Sequence, residues 1–343
     1  MLPKKITRMA SFWAEGKKLG RFPLQDGDTH SIILCQYSSK WNLSRRERGP
    51  EGRFRRFPPD PGAQALGQEG EIPMDRRPIG VFDSGLGGLT AVRSLRSILP
   101  GENLVYFGDT ARVPYGGRSP ETILKYARQD VRFLRTFDLK AILIACGTVT
   151  STSLEQLRRE NDLPMLGVVE PSCRAALAAT RNRRVGIIAT QASVRSGAYE
   201  RTLRALAPEV TVLQQACPLF VPLAEEGRTR PGDIVIETVA REYLAPLRGQ
   251  GIDTLILGCT HYPLLKEVIA GVMGPEVALI DSGEESAREL QRLLSASGGL
   301  GEPRGGGAIF CVSDRVEDFR HLASRFLGED VGDSVRRVSV EDA

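Results

Sequence analysis

From Pro78 onward, short apolar runs alternate with stretches whose apolar residues recur at helical spacing. Residues 79–82 predict a strand, followed by the glycine-rich turn 83–88 and a helix to Leu99. A second strand at 103–107 leads into a polar loop, 108–119. Ile123, Leu124, Ala127, Val131 and Leu134 then mark one face of a helix. Further strands are predicted at 141–145, 166–169, 185–189, 210–213, 254–257, 277–280 and 308–311, with helical stretches between most of them. Continuous apolar strands alternating with amphipathic helices imply an α/β fold of parallel sheets covered on both faces. In such folds ligands bind at the carboxyl ends of the strands.

Two of those strand ends are alike. One reads Ala141-Ile-Leu-Ile-Ala-Cys146-Gly-Thr148 and the other Thr254-Leu-Ile-Leu-Gly-Cys259-Thr260-His261, each running into a helix. The cysteines lie 113 positions apart, about one domain. The repetition implies two similar α/β domains with the site between them. The first is expected to comprise residues 78–169 plus about 282–340, the second 170–281. A thiol at a helix N-terminus faces the positive end of the dipole, so the pKa of each is expected to be lowered. Cys173, Cys217 and Cys311 read as small buried apolar residues.

Residues 1–73 break this pattern. They hold 13 basic and 8 acidic residues, a net of +5, while the other 270 hold 33 and 34, a net of −1. The whole-chain charge of +4 therefore comes from the leader. Its only short apolar patch is 32–35, and nothing in it is periodic enough to offset the entropy of ordering. A basic, disordered leader is expected, with translation beginning at Met74 and the preceding residues an extension. No apolar run approaches the roughly 18 residues of a membrane span.

Two thiols at one pocket admit several chemistries. A dithiol redox site usually brings Cys-x-x-Cys spacing, which is absent. Zinc on Cys146, Cys259 and His261 lacks the usual close ligand pair. The third chemistry is proton transfer on opposite faces of one carbon, where a thiolate removes a proton and the opposing thiol returns one. Asp83 and Ser84 could also simply cap a helix, and the turn 85–88 lacks the spacing of a nucleotide loop.

The strings Val81-Phe82-Asp83-Ser84-Gly85-Leu86-Gly87-Gly88-Leu89, Val113-Pro114-Tyr115-Gly116, the Cys146 loop and Leu257-Gly258-Cys259-Thr260-His261-Tyr262-Pro263 together resemble the glutamate racemase family, in order, from about Met74 to about residue 300. The resemblance implies an isomerase that interconverts L- and D-glutamate without a cofactor, supplying D-glutamate for peptidoglycan in the bacterial cytoplasm. By it, Cys146 and Cys259 are the acid/base thiols, Asp83 assists the first, and His261 with Glu225 assists the second. Asp83, Ser84, Tyr115, Gly116, Gly147, Thr148, Thr260 and His261 match positions that hold the amino acid. One departure is Gly147, where the family commonly has Asn, so one substrate hydrogen bond must come from elsewhere. The partner implied is a small-molecule substrate, with a homodimer, no nucleic acid and no membrane. No metal is expected. A pyridoxal-phosphate racemase would need a lysine, yet Lys125, Lys140 and Lys266, the three after Met74, all read as solvated positions away from any strand-end motif. The alternatives are a racemase for aspartate or another amino acid, a related decarboxylase relying on one thiol, or a non-enzymatic binding protein with a basic N-terminal arm.

Overall fold

The computed structural model describes residues 47–48, 54–55 and 74–340. The expectations for the leader lie outside these residues, except that Glu47–Arg48 and Phe54–Arg55 form a short antiparallel pair where none was expected. Ten strands then alternate with eleven α-helices in two parallel sheets.

The six-stranded sheet is built on β1 (Ile79–Asp83), β2 (Leu104–Gly108), β3 (Ala141–Ile144), β4 (Met165–Gly167), β9 (Ala308–Val312) and β10 (Val335–Arg337). Its order is β10-β9-β2-β1-β3-β4, with β1 and β3 adjacent at the centre. Every residue of β1, β2 and β3 is buried, as strands covered on both faces require. The four-stranded sheet holds β5 (Arg184–Ala189), β6 (Thr211–Ala216), β7 (Thr254–Leu257) and β8 (Ala278–Asp281) in the order β8-β7-β5-β6. The parallel α/β architecture expected from the pattern is present. The last strand, β10, was not foreseen, because Val335-Arg336-Arg337 is too short and polar to stand out.

The helices carry ordinary start signals. In α2 (Pro120–Leu134) Ser119 accepts from the Thr122 N–H, and Ile123, Ala127, Val131 and Leu134 form the buried face. In α10 (Ser282–Ser297) the Asp281 carboxylate accepts from the N–H groups of Gly283 and Glu284. This helix packs on both α1 (Leu89–Ile98) and α4 (Val169–Ala179), so it ties the two sheets together.

Lys140 corrects one expectation: it is buried, not solvated. Its Nζ forms an ion pair with Glu102 and donates to the carbonyls of Asp75 (2.7 Å) and Gly299 (2.9 Å). Lys140 precedes β3 and Glu102 precedes β2, so the pair sits where the strands begin, away from the carboxyl ends. A buried ion pair persists only when its remaining donors are satisfied, and here two carbonyls do that.

Candidate active site

Parallel register places the first group of candidates side by side. Phe82 pairs with Ile144, so β1 and β3 end together and release Asp83 and Cys146 at the same level. The Asp83 carboxylate is hydrogen-bonded by the backbone of Gly88, where α1 begins. It also closes the turn by accepting from the Gly85 N–H at 3.0 Å. The Cys146 thiol lies 3.5 Å from the Ser84 hydroxyl. Cys146 is the N-cap residue of α3 (Gly147–Glu160), but the expected lowering of its pKa does not occur. Burial, helped by the neighbouring Asp83 charge, pushes the thiol up to about 12. Burial also raises Asp83, against the pull of His261 and of its own hydrogen bonds.

The second group forms at the end of β7. Cys259 Sγ is 3.8 Å from His261 Nδ1, and His261 Nε2 is 2.9 Å from Glu225 Oε1. Glu225 is the last residue of α7 (Phe220–Glu225). Burial alone would lower the imidazole pKa, but the hydrogen bonds to Cys259 and Glu225 overcome it and raise the value to about 10. Both neighbours favour the protonated ring. Of the two adjacent carboxylates, Glu225 meets the histidine while Glu226 caps the end of the helix.

The two strand ends converge. Thr260 Oγ1 is 3.4 Å from Asp83 Oδ1, and the Thr90 hydroxyl donates to the Thr260 carbonyl at 2.8 Å. Two glycines permit this approach. A Cβ on Gly87 would stand 2.1 Å from Thr260 Oγ1 and 2.6 Å from His261 Nδ1. A Cβ on Gly147 would stand 2.4 Å from the Gly258 carbonyl oxygen. The departure at 147 thus has a local reason: backbone meets backbone there, and no side chain fits.

Tyr115 and Gly116 lie in the loop after β2. The Tyr115 ring is buried, and its hydroxyl bonds to Asp109 and, at 3.2 Å, to Asp130. Arg112 joins both carboxylates, at 2.6 and 2.9 Å. Tyr115 therefore faces the core, and only its backbone remains for a ligand. The Gly116 carbonyl accepts from the Ala192 N–H at 3.0 Å, joining this loop to α5 (Gln191–Ser196). Thr148 Oγ1 is 3.0 Å from the hydroxyl of Thr190, the N-cap of α5 at the end of β5. Thr190 was not singled out in the sequence. Its signal was available, since it ends the strand adjacent to β7 and begins a helix.

Cys173, Cys217 and Cys311 are buried within the packing, as expected. His321 is exposed on α11 (Val316–Leu327). Among the described residues no group of three or more His, Cys, Asp or Glu side chains could hold a metal ion, and no helix is long and apolar enough to cross a membrane.

Thiols at matching strand ends, with carboxylate and imidazole support, bear directly on the sequence comparison. The Asp/Glu/Hydantoin racemase family pattern matches residues 88–290. The chain belongs to this family. It is similar to the glutamate racemase of Geobacter metallireducens, 47% identical over 270 residues, covering 78% of this chain and 98% of that one. Solved structures agree. The glutamate racemase of Francisella tularensis in complex with D-glutamate is 38% identical with a TM-score of 0.73, covering 79% of this chain and all of that one. That of Thermus thermophilus in complex with beta-chloro-D-alanine is 47% identical with a TM-score of 0.70, covering 78% and 99%. As a member of this racemase family the chain is an isomerase, and the matched span contains both cysteines.

Proposed function

We propose that this racemase acts on glutamate, using Cys146 and Cys259 as opposed acid/base groups without a cofactor. The observation that carries the reading is the convergence of the two cysteine turns through Thr260 and Asp83, and through Gly147 and Gly258. The relatives named above support the choice of substrate.

In one direction a thiolate takes the α-proton and leaves its electron pair on the α-carbon. The opposing thiol then delivers a proton to the other face and becomes a thiolate. The amino acid inverts and the enzyme's charge is unchanged, so the reverse reaction simply exchanges the two roles. On the Cys259 side, the His261 imidazolium is placed to stabilise negative sulfur, with Glu225 holding the ring. On the Cys146 side, Asp83 and Ser84 are the polar neighbours. Backbone N–H groups of the strand-end turns, with Thr148, Thr190 and Thr260, suit the substrate carboxylates, and Asp83 suits its ammonium group.

Residues 78–169 with 282–340, and 170–281, form the two bodies in this reading, and their closure excludes water and strengthens each contact. The product is D-glutamate for peptidoglycan, the setting is the bacterial cytoplasm, and the assembly is a homodimer that sedimentation would test. The direct test incubates L-glutamate with the protein in D₂O and follows α-proton exchange and optical rotation. Exchange with decay of rotation to zero is expected; neither occurring would overturn the reading.

A further inference from the structure

The support for Cys259 does not come only from its own sheet. Helix α11, which follows β9 of the six-stranded sheet, is anchored there by Phe319, whose ring packs on Tyr106 (6.1 Å between centroids) and Phe310 (6.3 Å). Tyr106 in turn donates to the Gly85 carbonyl at 2.7 Å, in the turn that carries Asp83 and Ser84. Two helical turns beyond Phe319, α11 reaches the other sheet's catalytic turn. Phe326 is fully buried and meets the His261 ring edge to face, 5.5 Å between centroids at 87°. The adjacent Arg325 donates to the Glu225 carbonyl at 3.3 Å, and Gly227 leaves its guanidinium room.

His261 has both nitrogens committed, one to the thiol and one to the carboxylate, so its work depends on the angle of the ring plane. Two hydrogen bonds leave the ring free to rock about the line joining its partners, and packing limits that rocking. Phe326 is a large buried group packed perpendicular to that ring. From this geometry we infer that Phe326 is a positioning residue for the Cys259 arm, supplied by the opposite half of the molecule, with Arg325 steadying the backbone of Glu225. The inference rests on the racemase reading proposed above. It deepens that reading by making the Cys259 proton-transfer arm dependent on a side chain from the other sheet's C-terminal helix.

The reaction offers a readout that a merely structural role would not move. L- and D-glutamate have equal free energies in achiral water, so any variant must lose kcat/KM equally in both directions. Asymmetry between the arms shows instead in isotope effects, since slowing one proton transfer makes that step alone more rate-limiting. Phe326→Ala is expected to lower kcat/KM about tenfold in both directions, the scale of a small misplacement of a catalytic group. With α-deuterated substrates the isotope effect should rise for one enantiomer only, the same one affected by His261→Asn. Phe326→Leu, which keeps most of the packing, should restore most of the rate, and it carries the same isotope readout where the alanine variant fails to fold.

Equal isotope effects for both enantiomers in a folded, slowed variant would overturn the inference, as would an unchanged rate in Phe326→Ala. A second measurement does not need turnover. Solvent exchange of the His261 Nε2 proton, followed by NMR, should be slow in the native protein and much faster in Phe326→Ala. Equal exchange rates would refute the positioning role. A native protein that exchanges no α-proton of glutamate would refute the racemase reading and leave this NMR comparison to decide the role of Phe326.

Discussion

His261 stands between Cys259 and Glu225, 3.8 Å from the thiol sulfur through Nδ1 and 2.9 Å from the carboxylate through Nε2. Against the opposing effect of burial, both partners raise the pKa of the ring above its ordinary value.

Glu225→Gln replaces a charged acceptor by a neutral amide of the same shape. The imidazolium then loses one of the two partners that stabilise it, so its pKa falls towards the ordinary value. Racemisation should drop about tenfold, with the alkaline limb of the rate profile moving to lower pH. A pH profile of kcat/KM checks this; an unmoved limb would show that Glu225 does not set the His261 charge.

The same linkage reaches stability. His261 holds its proton to about pH 10 when folded, against an ordinary value of 6.5. Protonation therefore contributes to folding fully below pH about 6.5, and that contribution is lost as pH rises through about 10. Urea denaturation across this range should show native stability declining more steeply than in His261→Asn. Parallel curves would contradict it.

Cys146→Ser and Cys259→Ser should each reduce racemisation by about 10³-fold, because a hydroxyl is a far poorer acid and base at neutral pH than a thiol. Each single variant should still fold. Full activity in either would exclude the two-thiol mechanism.

Gly147→Ala introduces a methyl group where a carbonyl oxygen stands 2.4 Å away. The two strand ends must separate to accept it, costing about 1–3 kcal/mol as an overpacked contact does. Thermal unfolding and KM for glutamate, measured together, check it: both a lowered Tm and a raised KM are expected. Wild-type values for both would mean that the approach of Gly147 to Gly258 is not maintained in solution.

Tyr115→Phe removes the hydroxyl shared by Asp109 and Asp130, leaving two buried carboxylates with Arg112 as their remaining common donor. The expected cost is about 1–3 kcal/mol. KM should rise through loss of order in the loop, with kcat less affected. A variant as stable as the native protein would show that the hydroxyl contributes nothing to holding the loop.

Much of this was visible in the linear sequence because strands and helices are local patterns. Residues 79–82, 141–145 and 254–257 show themselves by unbroken apolar character, and a parallel sheet then dictates that Asp83, Cys146 and Cys259 emerge at ligand-binding ends. What stayed hidden depends on contacts between distant segments. Lys140 gives no sign of burial until Glu102, Asp75 and Gly299 are brought to it. The inward turn of the Tyr115 side chain is hidden because it depends on Asp130, fifteen residues away on α2. Phe326 lies 65 positions beyond His261, in a helix whose apolar face resembles any other. The thiol of Cys146 was misjudged because a helix N-terminus is local whereas desolvation comes from the whole fold.

The six-stranded sheet is also discontinuous along the chain, and this has a consequence for synthesis. As the polypeptide leaves the ribosome, β1 to β4 emerge first, then the whole of the four-stranded sheet, and only afterwards β9, α11 and β10. Until β9 arrives, β2 has an open edge, and His261 has no Phe326 against it. A nascent chain that already carries both cysteines and both supporting carboxylates therefore still lacks a closed site. A protein cut short before α11 would therefore keep both strand-end thiols and lose the ring that packs on His261.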